Sequence, residues 1–381
     1  MQNKRGTKQM RITEPYTIFK RTLSSGRTVY YYQFRDDYGR RSSAYSTGTD
    51  NLAQAKRIVR KLYNEGMFKT SSNMTFGAFA KDFFSEGGKY SYLLELKGRK
   101  VTKSTMFIYK RALDKLLLPY FEKISINKIS TITVREFKKW ALEDNAANSV
   151  NNAILCLTII LRYAQEKQII QTLPKMESVK IQKKERSLLT EDELTEFFKL
   201  AFTTQNKKAS LALLLGACTG MRVGEIMGLK PDCVYENYID INKSFHPMFG
   251  LGDTKTKQNR YVPIPRELSV RLKEIADEEW VFCKDDKPLN KGIIAYCFDK
   301  CLEKMDIKKQ ERGLTVHSLR AFFISYLQSK NISEPKIRAV VGHSDQTMTS
   351  VYTYWKPDMF PEINEVQESL YEKIKGVRYE R

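Results

Sequence analysis

Apolar and polar residues alternate along the start of the chain in three short runs: Tyr16 to Thr22, Thr28 to Phe34 and Arg40 to Ser46. Turn signals, Ser24-Ser25-Gly26 and Asp36-Asp37-Tyr38-Gly39, separate them. Alternation broken by Gly, Ser and Asp clusters predicts a three-stranded meander. From Leu52 the spacing lengthens. Leu52, Ala55, Val59 and Leu62 fall on one stripe of a helix that Asp50 is placed to cap and that runs to about Asn64.

Ser71-Ser72-Asn73 reads as a linker, and residues 75–173 then carry helical spacing without a clear strand. Phe76, Phe79, Phe83 and Phe84 form one stripe, and Phe107, Ala112, Leu113, Leu116 and Leu117 a second. Thr133 to Leu142 and Val150 to Gln165 complete about four helices whose aromatic faces read as core. Lys103, Lys110 and Arg111 fall on the opposite faces. Pro174 to Arg186 is charged and aperiodic, an interdomain connector. Thr190-Glu191-Asp192-Glu193 is a capping box that opens the next helix, so a third region begins near Ser187. That region reads as mostly helical, with helices over 266–276, 289–305, 317–328 and 333–341. A small sheet pairs Tyr238 to Lys243 with Arg260 to Ile264 across a loop containing Lys255. Near the end Ile363, Val366, Leu370 and Ile374 form one more stripe, which fits a core helix and a helix donated to a neighbouring protomer equally. The fold class is therefore multidomain α+β: residues 1–70, 75–173 and 187–381 form a small sheet plus helix, an all-helical domain and a mostly α domain with a small sheet.

Composition narrows the partners. Lys and Arg number 65 against 44 Asp and Glu, a net charge of +21 that favours a polyanion. Residues 1–50 hold ten Lys/Arg against four Asp/Glu. A sheet bearing Lys20, Arg21, Arg40 and Arg41 fits a DNA groove, although a solvated basic face has the same composition. The six cysteines lack C-x-x-C spacing, and Cys297 and Cys301 sit among apolar Ile293, Ile294 and Phe298, as buried thiols would in a reducing cytoplasm. No secretory signal is visible, and the longest apolar run, Leu211 to Cys218, falls far short of the ~20 residues that span a bilayer. The expectation is a cytoplasmic protein acting at a nucleoid.

The chemistry concentrates late in the chain. His317-Ser318-Leu319-Arg320 and Gly342-His343-Ser344, followed by Tyr352, gather two of the three histidines. Thr219-Gly220-Met221-Arg222-Val223-Gly224-Glu225 supplies a second arginine at a helix start. Guanidiniums grip phosphate oxygens as planar forks and a phenol can attack phosphorus, so this set suits metal-free work on a phosphodiester. A salt bridge to Glu225 is the plainer role for Arg222. A metal-dependent transposase would require a carboxylate cluster, and none is convincing in the sequence.

The ordered set Arg222, Lys255, His317 with Arg320, His343 and Tyr352 resembles the tyrosine recombinases, of the phage and conjugative-element integrase kind. The small departures are Ala321, where a basic residue is frequent, and Val341, where Leu is common. The resemblance implies an arm-binding N-terminal module, a core-binding domain carrying Lys103, Lys110 and Arg111, and a catalytic domain. It implies arginine grips at Arg222 and Arg320, a general acid at Lys255, a proton acceptor at His317, a hydrogen-bond donor at His343 and a nucleophile at Tyr352. Lys257 and Arg260 rival Lys255, which is preferred because it lies eight residues before Pro263. The implied partners are double-stranded DNA at core and arm sites, three further copies of the chain on two duplexes, and accessory directionality or DNA-bending proteins. The implied reaction needs neither cofactor nor metal. A type IB topoisomerase shares the tyrosine chemistry, but the basic N-terminal module is hard to explain there.

Overall fold

The computed structural model describes residues 15–35, 41–64, 74–181, 187–254, 259–342 and 356–375. They divide into two units, Met1–Gln182 and Lys183–Arg381.

In the first unit β1 (Tyr16–Thr22), β2 (Thr28–Phe34) and β3 (Tyr45–Ser46) form an antiparallel meander in that order. Tyr32 and Phe34 point inward onto Val59 of α1 (Leu52–Asn64), with Tyr16, Ile18, Tyr45 and Leu62 around them. The third strand is shorter than the expected Arg40 to Ser46. After an isolated bridge between Arg35 and Arg41, the Ser42 hydroxyl accepts the Phe34 N–H (3.0 Å) and removes that donor from the ladder. The cap of α1 is Asn51, not Asp50: its Oδ1 accepts from the amides of Ala53 (2.9 Å) and Gln54 (3.1 Å).

The rest of this unit is helical: α2 (Phe76–Ala80), α3 (Lys89–Leu96), α4 (Lys103–Ala112), α5 (Leu118–Phe121), α6 (Thr131–Asp144) and α7 (Ala147–Glu166). Phe76, Phe79, Phe83 and Phe84 are buried together. The second stripe is displaced at its start. Phe107 is 40% exposed, because Tyr109, two positions and about 200° further round the helix, turns inward instead. A π-helical turn over Leu113–Leu117 then aims Leu113, Leu116 and Leu117 inward before Pro119. The first half of the expected connector is strapped down. The Asn151 amide donates to Val179 O (2.9 Å) and accepts from Val179 N (2.7 Å), and Met176 and Val179 lie on the helical core.

The second unit is built around α9 (Lys207–Thr219), buried along its length from Ala209 onward. Around it pack α8 (Glu191–Phe202), α10 (Val223–Met227), α11 (Arg266–Ile275), α12 (Lys291–Lys304), α14 (His317–Ser329), α15 (Glu334–Val341) and α16 (Pro361–Lys375), while the short α13 (Lys309–Arg312) buries no residue and is tied to α8 by the Arg312 fork onto Glu193. The capping box at Thr190 and Glu193 forms as read, with Thr190 Oγ1 accepting from Glu193 N (3.1 Å). β4 (Tyr238–Ile241) pairs antiparallel with β7 (Arg260–Pro263), Ile239 opposite Val262. Between them the chain is not one loop but a second hairpin, β5 (Lys243–His246) and β6 (Gly250–Asp253). It has no apolar alternation to reveal it, and two of the four β6 residues are glycine. Its turn closes through His246 Nδ1, which accepts from Met248 N (3.2 Å). A shorter hairpin, β8 (Cys283–Lys284) with β9 (Lys287–Pro288), was likewise silent in the spacing.

The last helix packs on its own chain. Ile363, Leu370 and Ile374 of α16 join the core at 0–1% exposure. Gln367 Nε2 donates to Cys218 O (2.9 Å), one of the carbonyls that the end of α9 leaves without an intrahelical partner. Cys297 and Cys301 are buried thiols in the same core.

Candidate active site

The end of α9 starts the site. Gly220 adopts φ 65°, and a Cβ there would sit 2.7 Å from Phe323 Cδ1 of α14, so both the backbone and the packing require glycine. Gly220→Ala is expected to destabilise the protein by about 2 kcal/mol, read as a lowered urea midpoint at unchanged m-value.

Two residues on, Arg222 begins α10. Glu225, three positions later, folds back so that Oε2 accepts the Arg222 N–H (2.8 Å) and Oε1 accepts from Arg222 Nη1 (2.8 Å). The salt bridge foreseen as the plainer role of Arg222 therefore exists, alongside a bond from Nη2 to Gly342 O (2.9 Å). α10 lies flat on β5 because Gly224 and Gly228 face it: added Cβ atoms would come 2.6 Å from Ser244 Oγ and 2.8 Å from Phe245 N. That packing fixes the hairpin leading toward residue 255 against the helix that Arg222 starts.

α14 begins at His317, which is exposed, and carries Arg320 one turn later on the same face. Arg320 is only 3% exposed; Nη1 donates to Gly220 O and Nη2 to Val341 O, both at 2.6 Å. Burial, then the Arg222 and Arg260 charges, lower its pKa to about 9, with Glu225 opposing. It stays cationic at neutral pH.

Arg260, at the start of β7, completes the cluster. It is 8% exposed and forks onto Glu225, Nη1 to Oε1 at 3.0 Å and Nη2 to Oε2 at 2.6 Å, while Nε donates to Val340 O (2.8 Å). Burial pushes the Glu225 carboxyl up, but the Arg260 fork and both arginine charges outweigh it and hold it below the usual glutamate value. Three successive carbonyls at the end of α15, those of Val340, Val341 and Gly342, thus each accept from a different guanidinium. Helix-end carbonyls carry partial negative charge, so cations suit this position. Three guanidiniums against one carboxylate leave the cluster strongly positive, and each arginine has five N–H donors, of which Arg222 and Arg320 spend two each here. The arrangement suits a doubly held phosphate.

Of the residues singled out from sequence, Arg222 and Arg320 are brought together with His317 on the same helix as Arg320. Lys255, His343 and Tyr352 lie outside the described residues, although Gly342, the residue before His343, belongs to the arginine-bound turn. Lys257 lies outside them too, and Arg260, the other rival of Lys255, turns Nη1 and Nη2 to Glu225 and Nε to Val340 O. The sequence offers Arg260 only as a rival of Lys255 and Glu225 only as a salt-bridge partner of Arg222, not as members of one buried cluster. Glu225 was legible as the partner of Arg222 at helical spacing, whereas nothing local marks Arg260 among its basic neighbours.

The described basic residues singled out in the first unit are exposed but not on one surface. Strand alternation places Arg21 with Phe19 and Tyr31 on the outer face, and Lys20 on the other, in the row of Ile18 and Tyr32. The Arg21 guanidinium sits 5.4 Å from the Tyr31 ring, which stacks on Phe19 at 6.3 Å. Arg40 lies outside the described residues and Arg41 is exposed. Lys103, Lys110 and Arg111 are exposed on α4, with Lys110 bonded to Asp114 (3.0 Å).

Comparison with known proteins gives two family matches: "Phage integrase family" over residues 187–358 and "Phage integrase, N-terminal SAM-like domain" over 90–140. A tyrosine recombinase of Thermosipho africanus is 27% identical over 274 residues, covering 67% of this chain and 90% of its own. The integrase of Staphylococcus phage L54a is 25% identical over 360 residues, covering 83% and 98%. Among solved structures, a lambda integrase dimer bound to a COC′ core site superposes with a TM-score of 0.56 at 18% identity, covering 92% of this chain and 99% of that one. The Tn1549 transposon integrase in complex with a circular intermediate DNA gives 0.58 at 17%, covering 71% and 95%. At those identities the structures speak for the fold.

Proposed function

The chain belongs to the phage integrase family of tyrosine recombinases, and from that premise we propose that it integrates or excises a mobile element by cleaving and rejoining double-stranded DNA through a 3′-phosphotyrosyl link. The observation that carries this reading is the meeting of Arg222 and Arg320, 98 positions apart in sequence, on the adjacent carbonyls of Gly342 and Val341. Donors held in advance at developing charge are usually the largest catalytic contribution, and these two sit where the chain turns into His343.

In the proposed mechanism Arg222 and Arg320 hold the non-bridging oxygens of the scissile phosphate, and His343 adds a hydrogen bond. Tyr352 attacks phosphorus as His317 takes up its proton. Lys255 protonates the departing 5′-oxygen. The phosphodiester energy is kept in the tyrosyl ester, so a free 5′-hydroxyl from another strand can attack it, release Tyr352 and restore a DNA backbone. Recombination of two duplexes calls for four such sites, hence a homotetramer, with accessory directionality or bending proteins acting alongside.

The domain roles follow the same reading: residues 1–70 engage arm sites, 75–173 clamp the core site and 187–381 cleave. Deleting 1–70 is expected to leave cleavage of a core-site duplex within about threefold, while integration of a full element falls by at least about tenfold through loss of the second DNA contact. A core-site cleavage assay beside a two-plasmid integration assay separates these; undiminished integration counts against an arm-binding role. No helix among the described residues is long and apolar enough to cross a membrane; the proposed place of action is nucleoid DNA in the cytoplasm. The direct test of the whole reading is incubation with a nicked suicide duplex and a search for a covalent protein–DNA band, whose absence rejects it.

A further inference from the structure

We propose that Arg260 is a positioning residue for strand cleavage, holding Glu225, and through Glu225 the phosphate-gripping Arg222, in register with the turn that carries His343. The inference rests on the recombinase reading above and adds to it a residue that touches no substrate.

Each oxygen of Glu225 is shared between the two arginines. Oε1 accepts from Arg260 Nη1 (3.0 Å) and Arg222 Nη1 (2.8 Å), and Oε2 from Arg260 Nη2 (2.6 Å) and the Arg222 amide (2.8 Å). The carboxylate is 2% exposed, so water does not replace a lost partner, and its position is set by these four bonds. Arg222 is more open, its side chain 23% exposed, as a group reaching a ligand must be. Its orientation depends on Glu225 on one side and Gly342 O on the other.

Arg260 acts on that second side as well. Its Nε holds Val340 O, and its side chain lies so close over Gly342 that a Cβ there would come within 2.9 Å of Arg260 Cδ. Gly342, at φ 68°, is the only residue type that admits both the backbone and this approach. Arg260 itself is fixed in the sheet opposite Ile241, at the end of the strand entered from the loop containing Lys255. One guanidinium therefore joins three described segments: the Arg222–Glu225 turn, the start of β7 and the end of α15 from Val340 to Gly342. A lysine could neutralise Glu225 but has no planar fork to hold both of its oxygens and Val340 O together.

The test is single-turnover adduct formation on a nicked suicide duplex by the full-length unchanged protein, Arg260→Met and Arg260→Lys. Rate constant, final amplitude, DNA affinity and melting temperature are recorded for each. Positioning predicts that Arg260→Met lowers the rate constant by roughly tenfold to a hundredfold, with affinity and amplitude retained well below the melting temperature. Arg260→Lys recovers part of the rate. A purely structural role lowers amplitude and melting temperature and leaves the rate constant of the folded fraction alone, and that result overturns the inference. If Arg260→Met does not fold, Arg260→Lys decides by the same criterion: a reduced rate constant at full amplitude supports positioning, and an unchanged one overturns it. Absence of adduct from the unchanged protein overturns the recombinase reading and this inference with it, whereas a failure confined to the variants overturns only the inference.

Discussion

Tyr352→Phe is expected to bind a core-site duplex with affinity within about threefold of the unchanged protein and to form no covalent adduct, a loss of at least about 10⁴-fold in cleavage. The two halves of the expectation have different causes. Affinity for DNA is set mainly by neutralised phosphates, and a chain with a net charge of +21 keeps every cation when one hydroxyl is removed. Cleavage by the proposed route has no substitute for the phenol oxygen, since it becomes part of the intermediate. Tyr354 is the nearest alternative, only two positions on. The nine-residue offset from His343 selects Tyr352 of the pair. Tyr354→Phe should therefore cleave at close to the normal rate. Adduct from Tyr352→Phe, or its loss in Tyr354→Phe, transfers the nucleophile to position 354.

Why Tyr352 could be chosen among 21 tyrosines while Arg260 could not be assigned shows which signals a sequence carries. The proposed nucleophile is picked out by a local offset from Gly342-His343, and the arginines by motifs with glycines at set distances, so each is visible in a short window. The reason for those glycines is also local: Gly220 and Gly342 end helices at positive φ, and Gly224 and Gly228 admit β5. Arg260 owes its position to contacts 35 and 80 residues away, with Glu225 and Val340, and no window includes them. Regular periods were read correctly along α7 and α16, where burial imposed them, and misplaced the start of the stripe at Phe107. They failed where polar side chains rather than packing fixed the backbone. Ser42 ends a strand, Asn51 takes the cap from Asp50, and His246 closes a hairpin that has no apolar alternation. The tail helix was undecided from its stripe alone, because an apolar stripe does not say which chain covers it. The Gln367 amide meeting Cys218 O is the contact that gives it a partner within the same chain.

Arg320→Lys is the second large effect, and it separates grip from charge. The guanidinium at this position, 3% exposed, spans Gly220 O and Val341 O, which belong to the two turns flanking the site. A lysine ammonium is a single point on a flexible stem and cannot satisfy both carbonyls while also meeting a phosphate oxygen. The expected cost is roughly a hundredfold to a thousandfold in the rate constant for adduct formation, comparable to the loss of one donor from an oxyanion site. Stability falls by about 1–3 kcal/mol, because one buried carbonyl is left without its donor. The pH dependence gives an independent check. Burial and the neighbouring Arg222 and Arg260 charges bring Arg320 down to about 9, far enough below its ordinary value to matter and still charged at neutral pH. A lysine starts at about 10.4 and meets the same burial and the same two cations, so its proton is lost within the working range. The protonated form is the active one, hence the ratio of variant to unchanged rate should fall as pH rises from roughly 6 to 9. A ratio flat across that range, with the rate constant reduced, would mean that position 320 contributes geometry alone and that its charge is not used on the phosphate.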